Sequence, residues 1–176
     1  RLVGAANLAC KAGVKPVHLA WGIAAALYFD PLEDPSAMKL QEMLKEKGID
    51  AHEHKNLIIR EYINDMPRCL AAADIVICRC GAMTLAELKA AGRASVLIPS
   101  PNVAENHQYH NAMALVNNGA AVIIEEKQLT AELFEKTLDE LTSDKAKLEA
   151  IGKNALAMAK PQAKKDIADI IVSLAK

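Results

Sequence analysis

Aromatic side chains are scarce here, 3% of the 176 residues. That excludes a stacking platform for single-stranded nucleic acid, which needs successive rings for successive bases. A basic excess is also missing. Lysine and arginine number 21 against 22 acidic residues, for a net charge of −1, so there is no positive field to hold a polyanion. No apolar run reaches the roughly 18 residues that would span a bilayer; the longest, Val17 to Phe29, reads as core. There is no complete G-x-G-x-x-G, which argues against a dinucleotide cofactor, and no repeat at a solenoid period. Neither an initiator Met nor a signal-peptide pattern opens the chain. Arg1-Leu2-Val3-Gly4 reads instead as the interior of a longer chain, cut in or just after a strand.

Cysteine is sparse too. Cys10, Cys69, Cys78 and Cys80 do not make a disulfide scaffold in a chain that can build a full core, and they read as buried reduced thiols. Cys78 and Cys80 with His52 and His54 are conceivable metal ligands, since one-residue spacing puts both members of a pair on one strand face. Zinc sites favour wider spacings closed by turns, and His107/His110 lacks a nearby carboxylate, so no metal is expected.

What is present is a large apolar fraction, 52%, with 24% charged residues. That excludes disorder and provides for one domain spanning 1–176. Short apolar runs alternate with helical periodicity. Strands are expected at 17–21, 57–60, 75–78, 95–98 and 121–124. Helices are expected at 37–47, 66–73, 84–91, 106–117, 130–141, 145–160 and 163–175, with Gly48, Gly92 and Gly119 as stops. Continuous apolar strands with short connections to helices predict an α/β fold: a Rossmann-like, doubly wound parallel sheet covered on both faces. Ligands of such sheets bind beyond the C-terminal strand ends, which directs attention to the loops after Trp21, Arg60, Cys78, Ile98 and Ile124.

The loop after Cys78 runs Arg79-Cys80-Gly81-Ala82-Met83-Thr84-Leu85-Ala86-Glu87. A buried strand leading through glycine into a helix presents open amides and the positive end of a helix dipole, an anion site. Thr84-x-x-Glu87 is equally a capping box, in which those two side chains satisfy the helix's own amides. After Ile98, the segment from Pro99 to Asn111 puts His107, Gln108 and Asn111 on a first helical turn, where they can meet sugar hydroxyls or phosphate oxygens. The alternative is a solvated helix start capped by Asn106. After Arg60, Tyr62 and Ile63 can wall a flat ring and pair a nucleobase edge with the Ile63 backbone, or can pack into the core.

The ordered set of Tyr62-Ile63-Asn64-Asp65-Met66, Ala71 to Arg79, Gly81 to Leu88, Ala91-Gly92, Ile98 to Pro101, Asn106-His107-Gln108, Asn111-Ala112 and Gly119 to Ala121 resembles the C-terminal, nucleotide-sugar-binding half of the MurG family of bacterial glycosyltransferases. That family has the GT-B fold. The resemblance covers about Glu61 to Thr130, and more loosely the tail to Lys176. It implies the donor domain of an inverting, metal-independent enzyme that moves N-acetylglucosamine from UDP-GlcNAc to the lipid-linked muramyl-pentapeptide, making lipid II for peptidoglycan at the inner face of the cell membrane. No cofactor is implied.

The site residues implied are Ile63 for the base and Ala82, Met83, Thr84, Leu85, Ala86 and Glu87 along the UDP-sugar. Glu87 would take the ribose hydroxyls, and Thr84 with its neighbouring amides would face the diphosphate. His107 and Gln108 would contact the sugar, with Gly4, Tyr62, Gly81 and Asn111 as weaker candidates. No catalytic residue is implied in this chain, because the acceptor site and base belong to the absent N-terminal half. The alternative is a stand-alone UDP-GlcNAc-binding subunit of a split transferase with a membrane-bound partner. Four features depart from the family pattern: only Val3-Gly4-Ala5 remains of the opening glycine-rich loop, Arg93 replaces a usual proline, Cys80 a usual Ala or Ser, and the stretch from Ile23 to Pro35 matches poorly.

Overall fold

The computed structural model describes residues 19–20 and 63–174. The helix expected at 37–47, the strand at 57–60, and Gly4, Cys10, His52, His54 and Tyr62 lie outside the described residues.

Among the described residues, four strands form one parallel sheet in sequence order. They are β1 (Leu19–Ala20), β2 (Ile75–Cys78), β3 (Ala94–Leu97) and β4 (Val122–Ile123). Leu19 lies opposite Ile75, Ile75 opposite Ala94 and Val96 opposite Val122. All four residues of β2 and of β3 are buried, as continuous apolar strands must be when both faces of a parallel sheet are covered. β3 starts one residue earlier than its β-branched run suggested, at Ala94. The ladder continues past its end, where the Ile98 amide donates to the Cys78 carbonyl at 2.9 Å.

Six helices are described: α1 (Met66–Ala72), α2 (Ala82–Ala91), α3 (His107–Val116), α4 (Ala131–Ser143), α5 (Lys145–Ala157) and α6 (Ala163–Leu174). Pro67 sits in the first turn of α1, where its missing N–H is harmless. Helices α2 and α3 stop by the same device. Gly92 (φ 60°) and Gly119 (φ 61°) take the left-handed conformation. The following amides, of Arg93 and Ala120, reach back to the carbonyls of Leu88 and Leu115 at 3.3 and 2.9 Å. These Schellman turns return the chain to the next strand within a few residues. That fixes where α2 and α3 must begin, at the opposite, C-terminal edge of the sheet.

The core joins Ile75, Ile77, Val96, Leu97 and Ile98 to Leu85 and Leu88 of α2, Leu115 of α3, and Phe134, Leu138 and Leu141 of α4. Thr137, buried among them, donates its hydroxyl to the Leu133 carbonyl at 2.7 Å, which removes most of the cost of burying it. On α6 no side chain is buried. Ile167, Ile170, Ile171 and Leu174 recur at helical spacing on a face open to solvent.

Helix α5 meets the turn after α2 backbone to backbone. A Cβ added at Gly152 would stand 2.6 Å from the Gly92 carbonyl oxygen, and a rigid turn on one side and a helix on the other leave neither free to move. Gly152→Ala is therefore expected to destabilise the chain by about 2–3 kcal/mol, lowering the thermal midpoint by about 4–12 °C. A melting curve checks this; an unchanged midpoint would show that the α2–α5 contact is loose.

Candidate functional site

Helix α2 begins at Ala82, three residues before the Leu85 start that a capping box with Thr84 as N-cap requires. Its N-cap is Gly81, in extended conformation (φ −66°, ψ 143°), and no side chain caps it. Thr84 is the third helical residue and Glu87 lies in the second turn, so the capping box is not formed. The first backbone bond of the helix runs from the Leu85 amide to the Gly81 carbonyl at 3.0 Å. That leaves the amides of Ala82, Met83 and Thr84 without intrahelical acceptors. No acidic residue occupies the first turn, so the partial positive charge of the helix end is not offset by the protein itself. Two other helices, α4 and α5, do carry side-chain caps, whereas α1 and α3 do not. The Leu133 amide donates to Thr130 Oγ1 at 3.2 Å ahead of α4, and the Lys147 amide to Asp144 Oδ1 at 2.9 Å ahead of α5.

The residues of α2 divide by face. Ala82, Met83, Ala86 and Glu87 are exposed and Thr84 is half-buried. Leu85, one of the residues implied along the sugar-nucleotide, instead turns inward at 4% exposure, so only its backbone is left to face a ligand. Glu87 projects from the second turn with no cation paired to it among the described residues. Gly81 is not there for conformational freedom, since its φ is negative and a Cβ would sit 3.8 Å from Thr84 Oγ1. What glycine does at this N-cap is withhold the oxygen that Ser or Asp would offer to the helix.

Helix α3 starts beside the same loop. A short 3-10 turn (Ala104–Asn106) leads into it, with Glu105 (φ 53°) and Asn106 (φ 52°) both left-handed, a conformation that costs non-glycine residues about 1–2 kcal/mol. Held this way, Asn106 makes no side-chain cap, contrary to the capped start considered from sequence. His107 is exposed, with Nδ1 2.9 Å from the Ala104 carbonyl oxygen. Donation from Nδ1–H leaves Nε2 of the neutral ring as an outward acceptor. Gln108 Oε1 accepts from the amides of Cys80 at 3.2 Å and Ser100 at 3.0 Å, and Asn111 Nδ2 donates to the Cys80 carbonyl at 3.1 Å. The structure thus brings Gly81 to Glu87 together with Gln108 and Asn111, and His107 adjoins them in sequence. Ile63 is half-buried, in the residues just before α1.

Arg79 was not singled out from sequence. Its Nη1 donates to the carbonyls of Ile98 and Pro99, each at 3.2 Å, and lies 2.7 Å from Glu126 Oε2. It therefore ties together the segments that follow β2, β3 and β4. The available signal was its place, a guanidinium directly after a fully buried strand, whose donors have to end on backbone carbonyls or a carboxylate. Among the described residues no group of three or more His, Cys, Asp or Glu is placed to hold a metal ion.

The family model of the glycosyltransferase family 28 C-terminal domain matches residues 36–170. Curated relatives include proteins named UDP-N-acetylglucosamine–N-acetylmuramyl-(pentapeptide) pyrophosphoryl-undecaprenol N-acetylglucosamine transferase. That of Desulforamulus reducens is 43% identical over 129 residues, covering 73% of this chain and 35% of the relative. That of Myxococcus xanthus is 45% identical over 114 residues, covering 65% and 30%. The chain thus spans about a third of the length of the curated relatives it matches. Among solved structures, the crystal structure of Acinetobacter baumannii MurG is similar with a TM-score of 0.70 at 28% identity, over 92% of this chain and 51% of that one. The spinosyn forosaminyltransferase SpnP, at 16% identity and a TM-score of 0.56 over 69% of this chain and 30% of that one, shares the fold alone.

Two thiols lie at the base of the α2 loop. Burial, first of all, pushes both Cys78 and Cys80 up from 9.0 to about 12; Cys80 is held back slightly by the Arg79 guanidinium. The folded chain therefore keeps them protonated, and their contribution to stability is full below about pH 9 and lost as pH rises from 9 towards 12. Compared with a Cys78→Ala/Cys80→Ala variant, the wild type should keep a constant stability difference up to about pH 9 and fall relative to it above that. Denaturant titrations across this window check it, and parallel profiles would contradict it.

Proposed function

The chain belongs to the glycosyltransferase family 28 C-terminal domains, and from that premise we propose that it is the donor-binding domain of an N-acetylglucosaminyltransferase. The reaction transfers N-acetylglucosamine from UDP-GlcNAc to a lipid-linked muramyl-pentapeptide, with inversion, to give lipid II for peptidoglycan. The observation that carries this reading is the uncapped start of α2, where three amides and an uncompensated helix dipole face the outside of the sheet's C-terminal edge. A diphosphate is the ligand whose charge suits such an end. It is also the leaving group of the transfer, so donors fixed in place stabilise the charge that grows on it as the glycosidic bond breaks.

The remaining roles follow the same chemistry. Glu87, exposed one turn along α2, has two carboxylate oxygens to accept from the vicinal hydroxyls of the ribose. The Ile63 backbone pairs with the edge of the uracil. Thr84 lies beside the diphosphate, and Met83 and Ala86 line the nucleotide. The His107 Nε2 lone pair accepts from a sugar hydroxyl, while Gln108 Oε1 is already filled by the Cys80 and Ser100 amides. Displacement at the anomeric carbon needs a base for the acceptor hydroxyl and a cleft for the lipid-linked substrate. We assign both to the remaining part of the enzyme, working at the inner face of the cell membrane. The open apolar face of α6 supplies a surface for contact with that part. A separate membrane-bound partner subunit is the alternative arrangement, and the bacterial relatives favour a continuous enzyme.

Calorimetry tests the assignment. The chain should bind UDP-GlcNAc, and Glu87→Ala, an exposed change that spares the core, should weaken binding by about 100-fold or more, the loss of two hydrogen bonds to a charged acceptor. Binding that is unaffected by Glu87→Ala would remove the ribose assignment.

A further inference from the structure

The geometry points to Gln108 and Asn111 as positioning residues that act on the donor through the Cys80 peptide, an inference that rests on the donor reading of α2. Cys80 is the last residue before the Gly81 N-cap, and it is held from three sides. Its side chain is buried at 0% exposure. Its N–H donates to Gln108 Oε1 at 3.2 Å, and its carbonyl accepts from Asn111 Nδ2 at 3.1 Å. Gln108 and Asn111 stand one turn apart on the same face of α3. The same Oε1 accepts from the Ser100 amide at 3.0 Å, which draws the loop after β3 onto the loop after β2.

These contacts settle what each amide group can do. An amide oxygen has two lone pairs, and both are taken, so Gln108 Oε1 has no capacity to receive a sugar hydroxyl. The side-chain orientation is fixed as well: the opposite flip would set Nε2 against two backbone N–H groups. Asn111 spends its Nδ2 on a carbonyl of the same peptide. The α2 amides proposed to meet the diphosphate, and the His107 ring proposed to meet the sugar, are thereby mounted on one hydrogen-bonded unit. The direction of the first turn of α2, and with it the aim of its three amides, is set from α3. Such aim matters most for donors that stabilise developing charge, because their strength depends on being in place beforehand.

The test pairs amide hydrogen exchange, read by NMR, with calorimetry using UDP-GlcNAc. Gln108→Met removes the acceptor and keeps the length of the side chain. The amides of Cys80 and Ser100 should then exchange at least about tenfold faster, and affinity should fall about tenfold, as expected for one to two lost hydrogen bonds. Ile77 and Val96, inside the sheet, should keep their protection and so report an intact fold. Gln108→Glu preserves both acceptor contacts and loses only the Nε2 protons. Measured in about 0.5 M salt to screen its charge, it should keep the protection of both amides and bind within about threefold of wild type.

Asn111→Ala provides an independent arm if Gln108→Met fails to fold. It leaves both Gln108 bonds in place and should weaken binding about three- to tenfold. Two results overturn the inference while leaving the donor reading intact. One is a Gln108→Glu variant that loses as much affinity as Gln108→Met, which would mean direct contact through Nε2. The other is variants that lose Cys80 protection yet bind like wild type. Wild-type chain that does not bind UDP-GlcNAc at all overturns both readings, and shows this before any variant is made.

Discussion

The unmet hydrogen-bonding capacity of one helix end organises this molecule. Backbone amides at a helix start need acceptors, and at α4 and α5 the chain supplies them from Thr130 and Asp144. At α2 it supplies a glycine, no first-turn acid, and a Thr84 placed too late to cap. The rest of the fold bears on where that end sits. The parallel register puts β2 and β3 side by side with their C-terminal ends level, from Ile75 opposite Ala94 to Cys78 opposite Leu97. The Schellman turns at Gly92 and Gly119 then bring each helix back to the start of the next strand. Both helix N-termini consequently open along the same edge, where ligands of α/β sheets collect.

Holding that edge takes polar contacts rather than apolar ones. Short loops between buried strands and helices carry backbone groups that cannot be left unpaired. Arg79 gathers the carbonyls of Ile98 and Pro99 and the Glu126 carboxylate, and Gln108 and Asn111 clasp the Cys80 peptide. Glu126 Oε2 lies 2.7 Å from Arg79 Nη1 without a directed hydrogen bond, so that contact is one of charge. Strain is present in the same region, at Glu105 and Asn106, and the fold around α3 has to offset it.

Much of this was legible in the amino-acid sequence because burial dictates it. Ile75 to Cys78 had to be a strand inside a parallel sheet, and Gly92 and Gly119 had to stop helices. The same reasoning located the loops after Cys78 and Ile98. It failed on the question of which polar group satisfies which. Thr84-x-x-Glu87 has the spacing of a capping box, but Gly81 can serve as N-cap equally well, and the packing of Leu85 and Leu88 decides between the two registers. Asn106 looked like a cap until the left-handed backbone turned it away. Leu85 was carried into the site by a motif whose inward positions pattern alone does not separate from its outward ones. Arg79, and the acceptor role of Gln108, depend on contacts between residues 8 to 47 positions apart, which no local spacing encodes.

The role we propose for the first turn of α2 is to receive a diphosphate. Titrating the 15N-labelled chain with UDP and following each backbone amide tests it most directly. The largest and saturable shifts should fall on Ala82, Met83 and Thr84, with uridine, which carries no phosphate, producing little change there. Saturation with UDP that leaves those three amides unmoved would contradict it.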